Sequence, residues 1–455
     1  MKKNLPLLLV FLLLSSTASL LHAQCWKYIS TNNGTSTALR KDSTLWVWGN
    51  NGKGQYGNGS SSNSSTPLYY SYGNKWTSTS AGGWHLIAKR NDGSLWTSGW
   101  NMYGQLGLGG TGDVITLSQM GLQYDWDTAA CGYASSCAIK TNGTLWTWGR
   151  NNKGQLGVGN YNQYNSPTLV DSNTNWKFVS PSHGHMHAIK SNGTLWAWGD
   201  NNAGQLGDGT NFTRTLPVPI GTDSNWVKVS SKYWATIGLK TNGTVWAWGD
   251  NTFGQVDTSL IDKNYPVQIG SDSDWVDISS GYYHFVAIKS NGTLWTWGRN
   301  NFGQLGDNSL IDKYVPQKIG IDTNWVKCSA GINSTLALKT TGELKSWGNN
   351  LSGTLGNGTL TSSSLPVNVF CLAVSIDEIQ NDFSIYPNPV NDYIQIENSK
   401  NVKIDRICVI DYMGKTIVEE HTEFDGFTCS NLKSGIYYML IYTGAEIHSY
   451  KFLKN

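Results

Sequence analysis

Charge is scarce in this 455-residue chain: Asp, Glu, Lys and Arg together make up 14% of it, against about 25% in an average globular protein. The charge present nearly balances, 33 basic against 31 acidic residues for a net +2. The electrostatic footprint of a nucleic-acid binder is therefore missing, and no nucleic-acid partner is expected. Cysteine is also sparse, and the spacing of the seven fits no zinc pattern. Beyond Ala23 no apolar run reaches the ~18 residues of a membrane-spanning helix, so no transmembrane segment is expected in the mature chain. Gly, Asn, Ser, Thr and Trp outweigh the strong helix formers, which argues against a helical bundle. Glycine is abundant, with 51 residues lacking the period of collagen, and so are aromatics, with 22 Trp and 22 Tyr. At 39% hydrophobic residues the chain is not disordered. A β-rich, turn-rich protein with a sizeable core remains.

Lys2 and Lys3 precede the apolar run Leu5 to Leu14, and small residues lead to Leu21-His22-Ala23. This is the layout of a secretory signal peptide, residues 1–23, cut after Ala23. Cys25 would suit lipidation, but Gln24 before it fits a lipidation box poorly. Export permits disulfides. Cys408 and Cys429 are expected to pair, while Cys131, Cys137 and Cys328 read as buried, inert thiols.

The tryptophans repeat. Trp26, Trp76, Trp126, Trp176, Trp226, Trp275 and Trp325 recur every 50 residues, once 49. Twenty residues after each stands a second Trp, replaced by Lys345 in the seventh copy, and two further on a third, replaced by Ser98 in the second. Only Trp84, Trp100 and Trp234 of the 22 lie outside these columns. Each copy also carries a basic residue fourteen after the first Trp (Arg40, Arg90, Lys140, Lys190, Lys240, Lys289, Lys339) and a Gly after the third Trp position. Asn follows two residues later, then Gly-Gln-Leu-Gly or a variant. Within one copy, Trp226–Ser230, Thr236–Lys240 and Thr244–Trp248 read as strands, with Pro266–Ile269 a short fourth edge strand. Asn242-Gly243 predicts a two-residue type I′ hairpin, which needs positive φ at both positions. Units of four strands cannot bury a face alone; seven arranged radially can, which makes a seven-bladed β-propeller.

The pattern W-x-x-[VI]-S-x-G-x-x-H-x-x-A-[IL]-K-x-N-G-x-[LV]-W-x-W-G-x-N-x-x-G-Q-L-G resembles the regulator of chromosome condensation repeat and spans roughly Trp26 to Phe370. The resemblance implies seven blades of four antiparallel strands and partner binding through the loops of one face. The eponymous member promotes nucleotide exchange on a small GTPase, which does not suit an exported bacterial chain; secreted relatives include a β-lactamase inhibitory protein. No catalytic residues come with the repeat. A ring must close, and Cys25 and Cys371 bracket the seven copies, so a Cys25–Cys371 disulfide is expected to fasten it.

After Cys371 tryptophan disappears and Asp, Glu and Ile rise. Beyond a linker at 372–382, residues 383–455 alternate with period two and read as a small immunoglobulin-like β-sandwich of about seven strands. Tyr386-Pro387-Asn388-Pro389, Asp411-x-x-Gly414-Lys415, Leu432-x-x-Gly435-Ile436-Tyr437 and the closing Lys451-Phe452-Leu453-Lys454 resemble the type A sorting domain of the type IX secretion system. That implies an encounter with the secretion machinery and a destination outside, or attached to the outer surface of, a Gram-negative cell.

Columns fixed in all copies serve the fold; loop columns that vary are where binding would sit. The segment seven to nine residues after the first Trp holds Trp84, His85, Tyr133, His183, His185, Tyr233, Trp234, Tyr282 and Tyr283. Trp and Tyr are the types enriched at binding hot spots. These residues either line one mouth of the ring or pack between blades, and His85 and His185 share the family's His column, where a hydrogen bond is the simpler role. Trp100 begins a second variable column with Asn50, Arg150, Asp200, Asp250, Arg299 and Asn349, whose mixed charges read as a solvated rim. His183-x-His185-x-His187 would suit Zn²⁺ if one strand face held all three, but no nearby Cys or carboxylate completes a site, and no metal or cofactor is expected. Asp272-x-Asp274 before the strand reads as a tight turn. There is no G-x-S-x-G, phosphate-binding loop or H-E-x-x-H, so no catalytic residue is nominated. The expected function is a non-catalytic binding module for an extracellular protein or glycan; the alternative is a carbohydrate lyase or hydrolase with its site in the propeller mouth. Clustered carboxylates in a deep cleft would favour the enzyme, and a broad aromatic face the binder.

Overall fold

The computed structural model describes residues 26–70, 75–369, 383–398, 403–411, 416–420, 426–443 and 446–455. They fall into two compact units, one within Ala23–Cys371 and one within Leu372–Asn455. The expected signal peptide, the linker, Cys25, Cys371, Gly414 and Lys415 lie outside the described residues.

The first unit is seven four-stranded antiparallel sheets, each built from one repeat with strands in chain order. The fourth blade shows the plan: Trp176–Pro181, His185–Lys190, Leu195–Gly199 and Arg214–Pro219. First strands of adjacent blades touch all the way round, the seventh against the first, so they surround the axis. Fourth strands form the half-exposed outer edge.

The tryptophan columns build the joints between blades. Trp176 packs edge-on against Trp196 at 6.0 Å and Trp198 at 6.1 Å. The third column donates its indole N–H to the preceding blade: Trp148, Trp198, Trp297 and Trp347 reach the carbonyls of Gln105, Gln155, Gln255 and Gln304, each at 2.9 Å. Ser98 sends its hydroxyl to the equivalent Gln55 carbonyl at 3.0 Å. The basic column lies over the rings, Lys190 at 4.0 Å from the Trp196 centroid and Lys240 at 3.8 Å from that of Trp246. Asp272 and Asp274 both pair with Lys289, at 2.8 and 3.0 Å.

The hairpins differ from the type I′ expectation. Asn142, Asn192 and Asn242 do not have positive φ; only the glycines do, with Gly193 at 80°. Lys190–Gly193 closes a turn through Gly193 N–H to Lys190 O at 2.9 Å, and Lys190 N–H meets Thr194 O at 3.0 Å. This is a three-residue loop, a type I turn ending in a left-handed residue. The Asn192 side chain selects it by accepting from both the Thr194 N–H and its hydroxyl. A Cβ on Gly193 would lie 2.1 Å from Ser224 O.

The seam between blades seven and one repeats the other joints. Trp26 N–H reaches Gly342 O at 3.2 Å as Trp176 N–H reaches Gly143 O at 3.1 Å, and Trp48 donates to Thr354 O at 2.8 Å. Among the described residues every blade takes its four strands from one repeat, so no strand is exchanged across this seam.

The second unit packs a three-stranded sheet (Phe383–Tyr386, Tyr393–Asn398, Gly426–Thr428) against a four-stranded one (Thr416–Glu420, Arg406–Asp411, Gly435–Thr443, Glu446–Lys454). Phe383, Ile394, Phe427, Ile407, Val409, Met439 and Phe452 share its core. The expected Cys408–Cys429 disulfide is not formed, and Cys429 is a buried thiol. The reason is strand periodicity: Ile407, Val409 and Cys429 line the core, whereas Cys408, between them, points to the other face of its sheet. Cys131, Cys137 and Cys328 are buried thiols as well.

Candidate functional site

Successive strands run antiparallel, so the loops after the first and third strands of every blade emerge at one end of the ring. Main-chain bonds tie the two loops together, as where Asp200 N–H meets Gly184 O at 2.8 Å. On this face the variable columns meet in one arc. Trp84 donates its indole N–H to the Tyr133 hydroxyl at 3.2 Å. Trp100 meets Tyr103 at 5.4 Å and Tyr133 at 6.5 Å. Tyr133 meets His183 at 4.7 Å, and His183 meets Tyr233 at 5.7 Å. Tyr233 is stacked between Trp234 at 4.3 Å and Tyr282 at 4.6 Å, and touches Tyr283 edge-on at 5.3 Å. Phe253 ends the series 4.8 Å from Tyr283. Arg150 lies over Tyr103, and Arg299 over Phe253 and Tyr283. The arc covers blades two to six; blades one and seven place Asn33-Gly34 and Ile332-Asn333 there. Its members are half-buried, apart from Trp234, which is 38% exposed.

Where the arc reaches the axis lies a small pocket, lined by Asn32, Gly132, Tyr133, Pro181, Ser182, His183, Lys232, Tyr233 and Tyr282. Lys232 ends the first strand of blade five and reaches across the ring, donating to Thr31 O of blade one at 2.8 Å and to Ala330 O of blade seven. Burial pushes its ammonium down to about 7. Burial also lowers His183, aided by Arg150, and raises Tyr282 and Tyr283, with the crowded tyrosines adding to the effect. Tyr233 has φ of 53°, in the left-handed region.

Residues 128–403, more than half of the chain, match the RCC1-like domain family, and residues 42–88 and 92–139 match the regulator of chromosome condensation (RCC1) repeat. The chain belongs to the RCC1-like domain family. Residues 384–455 match the secretion system C-terminal sorting domain, which marks proteins exported by the type IX system and secreted or held at the outer surface. No curated protein matches the chain. Among solved structures it is similar to human WBSCR16 at 21% identity and a TM-score of 0.66, over 72% of this chain and 94% of that one. It is also similar to yeast RCC1 (Prp20) in its complex with Kap60, at 19% identity and a TM-score of 0.66, over 79% and 87%. The Saccharomyces cerevisiae Prp20p structure agrees at 20% identity and 0.65, over 76% and 89%. At these identities the likeness is one of fold.

Within this RCC1-like propeller, two of the residues expected at the surface are elsewhere. His85 and His185 are 1% and 0% exposed, and each pairs through Nε2 with the next blade, at Ser136 Oγ (2.9 Å) and Thr236 Oγ1 (3.3 Å). They start the second strand, whose inward positions the blades bury, so they join blades and cannot touch a ligand. The hydrogen-bond role holds, but it bridges blades rather than pinning the loop. His183 stays in the loop while His187 is buried against Leu206 O and Ser231 Oγ, so the three imidazoles do not converge. Among the described residues no group of three His, Cys, Asp or Glu is placed to hold a metal ion. The solvated-rim reading also needs correction: Asp200 and Asp250 are 5% and 4% exposed, Arg150 and Arg299 lie on aromatic rings, and Trp100 joins the arc.

Tyr103, Phe253, Asn32 and Lys232 were not singled out from sequence. The first two belong to a column two after the fixed Asn that reads Lys53, Tyr103, Lys153, Ala203, Phe253, Phe302, Ser352. The others belong to a column reading Asn32, Gly82, Gly132, Ser182, Lys232, Gly281, Gly331. In both, variation among copies was the available signal. In the sorting unit, Asn388 clasps the closing strand, donating to Lys451 O and accepting from Leu453 N–H, both at 2.9 Å. Tyr437 stacks on Phe452 at 5.7 Å, and its hydroxyl donates to Lys433 O. Tyr386, Pro387 and Pro389 are exposed, and Gly435 and Ile436 open the long strand that pairs with the closing one.

Proposed function

We propose that this protein is a non-catalytic binding module, recognising a protein or polysaccharide through the aromatic face of its propeller after export. The carrying observation is the continuous arc of Trp84, Trp100, Tyr103, Tyr133, His183, Tyr233, Trp234, Tyr282 and Tyr283 with Arg150 and Arg299, rich in the Trp, Tyr and Arg of binding hot spots. The left-handed Tyr233 at its hub supports the reading, because backbone strain clusters at functional positions. Of its fold relatives, yeast Prp20 is described bound to Kap60 and with binding properties to Gsp1p and histones. The hydrolase form of the carbohydrate-enzyme alternative would need a pair of carboxyl groups flanking the substrate, and among the described residues no Asp or Glu lines the axial pocket. We take residues 24–371 as the binding domain, 372–382 as a linker and 383–455 as the domain that engages the secretion machinery, with 1–23 removed earlier.

The test is a pull-down and glycan-array screen with the mature chain, comparing Trp84→Ala and Trp234→Ala. Each variant should lose at least tenfold in retention of whatever the wild type captures. Full retention by both sinks the proposal.

A further inference from the structure

Lys232 is the only cation in a column that is otherwise Asn, Gly or Ser. Its ammonium has three protons. Two are held by the carbonyls of Thr31 and Ala330, and the residue lines the axial pocket. Among the described residues no carboxylate pairs with it. The groups around it are His183, His284, Tyr133, Tyr233 and Tyr282. His284 is held neutral by burial, its value lowered to about 3, and His183 is lowered as well. A cation in a pocket walled by neutral groups calls for an anion.

The aromatic walls favour the same charge. Tyr233 has its faces covered by Trp234 and Tyr282, so it offers the pocket its ring edge, and ring edges carry the positive end of the aromatic quadrupole. Tyr133 accepts the Trp84 indole proton on its hydroxyl, which leaves its own proton to donate. Covered faces suit sugar stacking poorly. The pocket has room for little more than a single water, so it takes no whole small ligand and admits only the tip of one side chain. Around it, Arg150 and Arg299 lie over the half-buried rings of Tyr103 and Phe253, while Asp200 and Asp250 are buried.

We propose that the axial pocket receives a Glu or Asp side chain of a protein partner, its carboxylate held by the Lys232 ammonium and the hydroxyls of Tyr133 and Tyr282, with the aromatic arc as the surrounding contact surface. This rests on the binding-face reading above and names the chemistry of its target.

The experiment is an array of random 12-residue peptides probed with the mature chain, each hit resynthesised with Glu→Gln or Asp→Asn, alongside oligogalacturonate and neutral oligosaccharides. Retained peptides should carry an acid whose amide replacement costs at least tenfold. Lys232→Met should abolish that difference, and Lys232→Arg should keep it. Wild-type affinity should fall about tenfold between pH 7 and 8.5, as the lysine loses its proton, and the Lys232→Arg affinity should not. Tryptophan fluorescence melting checks that each variant is folded; should Lys232→Met fail to fold, the amide replacements and the pH arm against Lys232→Arg still decide. Acid-independent peptide binding that Trp234→Ala removes overturns this inference and leaves the binding face standing. Capture of oligogalacturonate alone overturns the protein partner, and peptide binding untouched by Trp84→Ala and Trp234→Ala overturns the binding face itself.

Discussion

Ser98 occupies a column that is tryptophan in the other six copies, and its neighbour in space repairs the exchange. The Gly-Gln-Leu-Gly turn of blade one reads Gly-Gln-Tyr-Gly, and Tyr56 is fully buried in the cluster between blades one and two with Trp76, Leu86 and Leu117. A Cβ on Gly57 would meet Ser98 Oγ, where the same construction on Gly107, Gly157 or Gly207 meets a Trp indole. Tyr56 thus brings the bulk that Ser98 withholds, and its hydroxyl is satisfied by Gly49 O. Ser98→Trp alone should overpack the joint and cost about 1–3 kcal/mol. Tyr56→Leu alone should leave a cavity and cost a similar amount, about 2 kcal/mol. Together they should recover most of both losses, a coupling of about 1–3 kcal/mol measured from urea midpoints by tryptophan fluorescence. Strict additivity would show that the two side chains do not share the space.

At the scale of the blade, the hairpin between second and third strands is the element most repeated and most constrained. Six copies place Gly at its left-handed position; blade one places Ser43 there, with φ of 68°. A side chain in that region costs roughly 1–2 kcal/mol, so Ser43→Gly should raise stability by about 1 kcal/mol. A lowered urea midpoint would mean that the Lys27 Nζ bond to Ser43 Oγ outweighs the strain. The hairpin also shows what a sequence makes legible. Strand count, blade count and the sheet order follow from periodicity, because every copy states the same pattern again. The turn type did not, because the Asn-Gly pair that suggests positive φ at both residues is overruled by the Asn192 side chain bonding Thr194. The aromatic arc was half legible: Trp84, Tyr133, Tyr233 and Tyr282 vary visibly, but their contacts join residues about fifty apart in different blades. Lys232 was hidden because a single lysine in a column of Asn, Gly and Ser reads as a surface residue, and only the closed ring brings that column together at the axis.

At the scale of the ring, stability and pH are linked through the joints. His85, His185 and His284 connect blade two to three, four to five and six to seven through Ser136, Thr236 and Thr335, and His187 lies beside them at the second of these joints. Burial lowers His85, His187 and His284 to about 3 and takes His185 well below the ordinary 6.5. The sign follows: between about 6.5 and 3 the unfolded chain binds protons that the ring refuses, so the stability these groups contribute is complete above pH 6.5 and drains away as pH falls. Each buried histidine then costs about 1 kcal/mol per pH unit across that window. The urea midpoint of the propeller should rise from pH 7 to 8, where the folded chain gives up the Lys232 proton that the unfolded chain keeps, and fall steeply from pH 6 to 4.5. His85→Ser, the residue that blades three and seven carry at that position as Ser135 and Ser334, should lower the midpoint at pH 7 but flatten the slope below 6. An equal slope in the variant would show that the acid sensitivity does not arise at the His85–Ser136 joint.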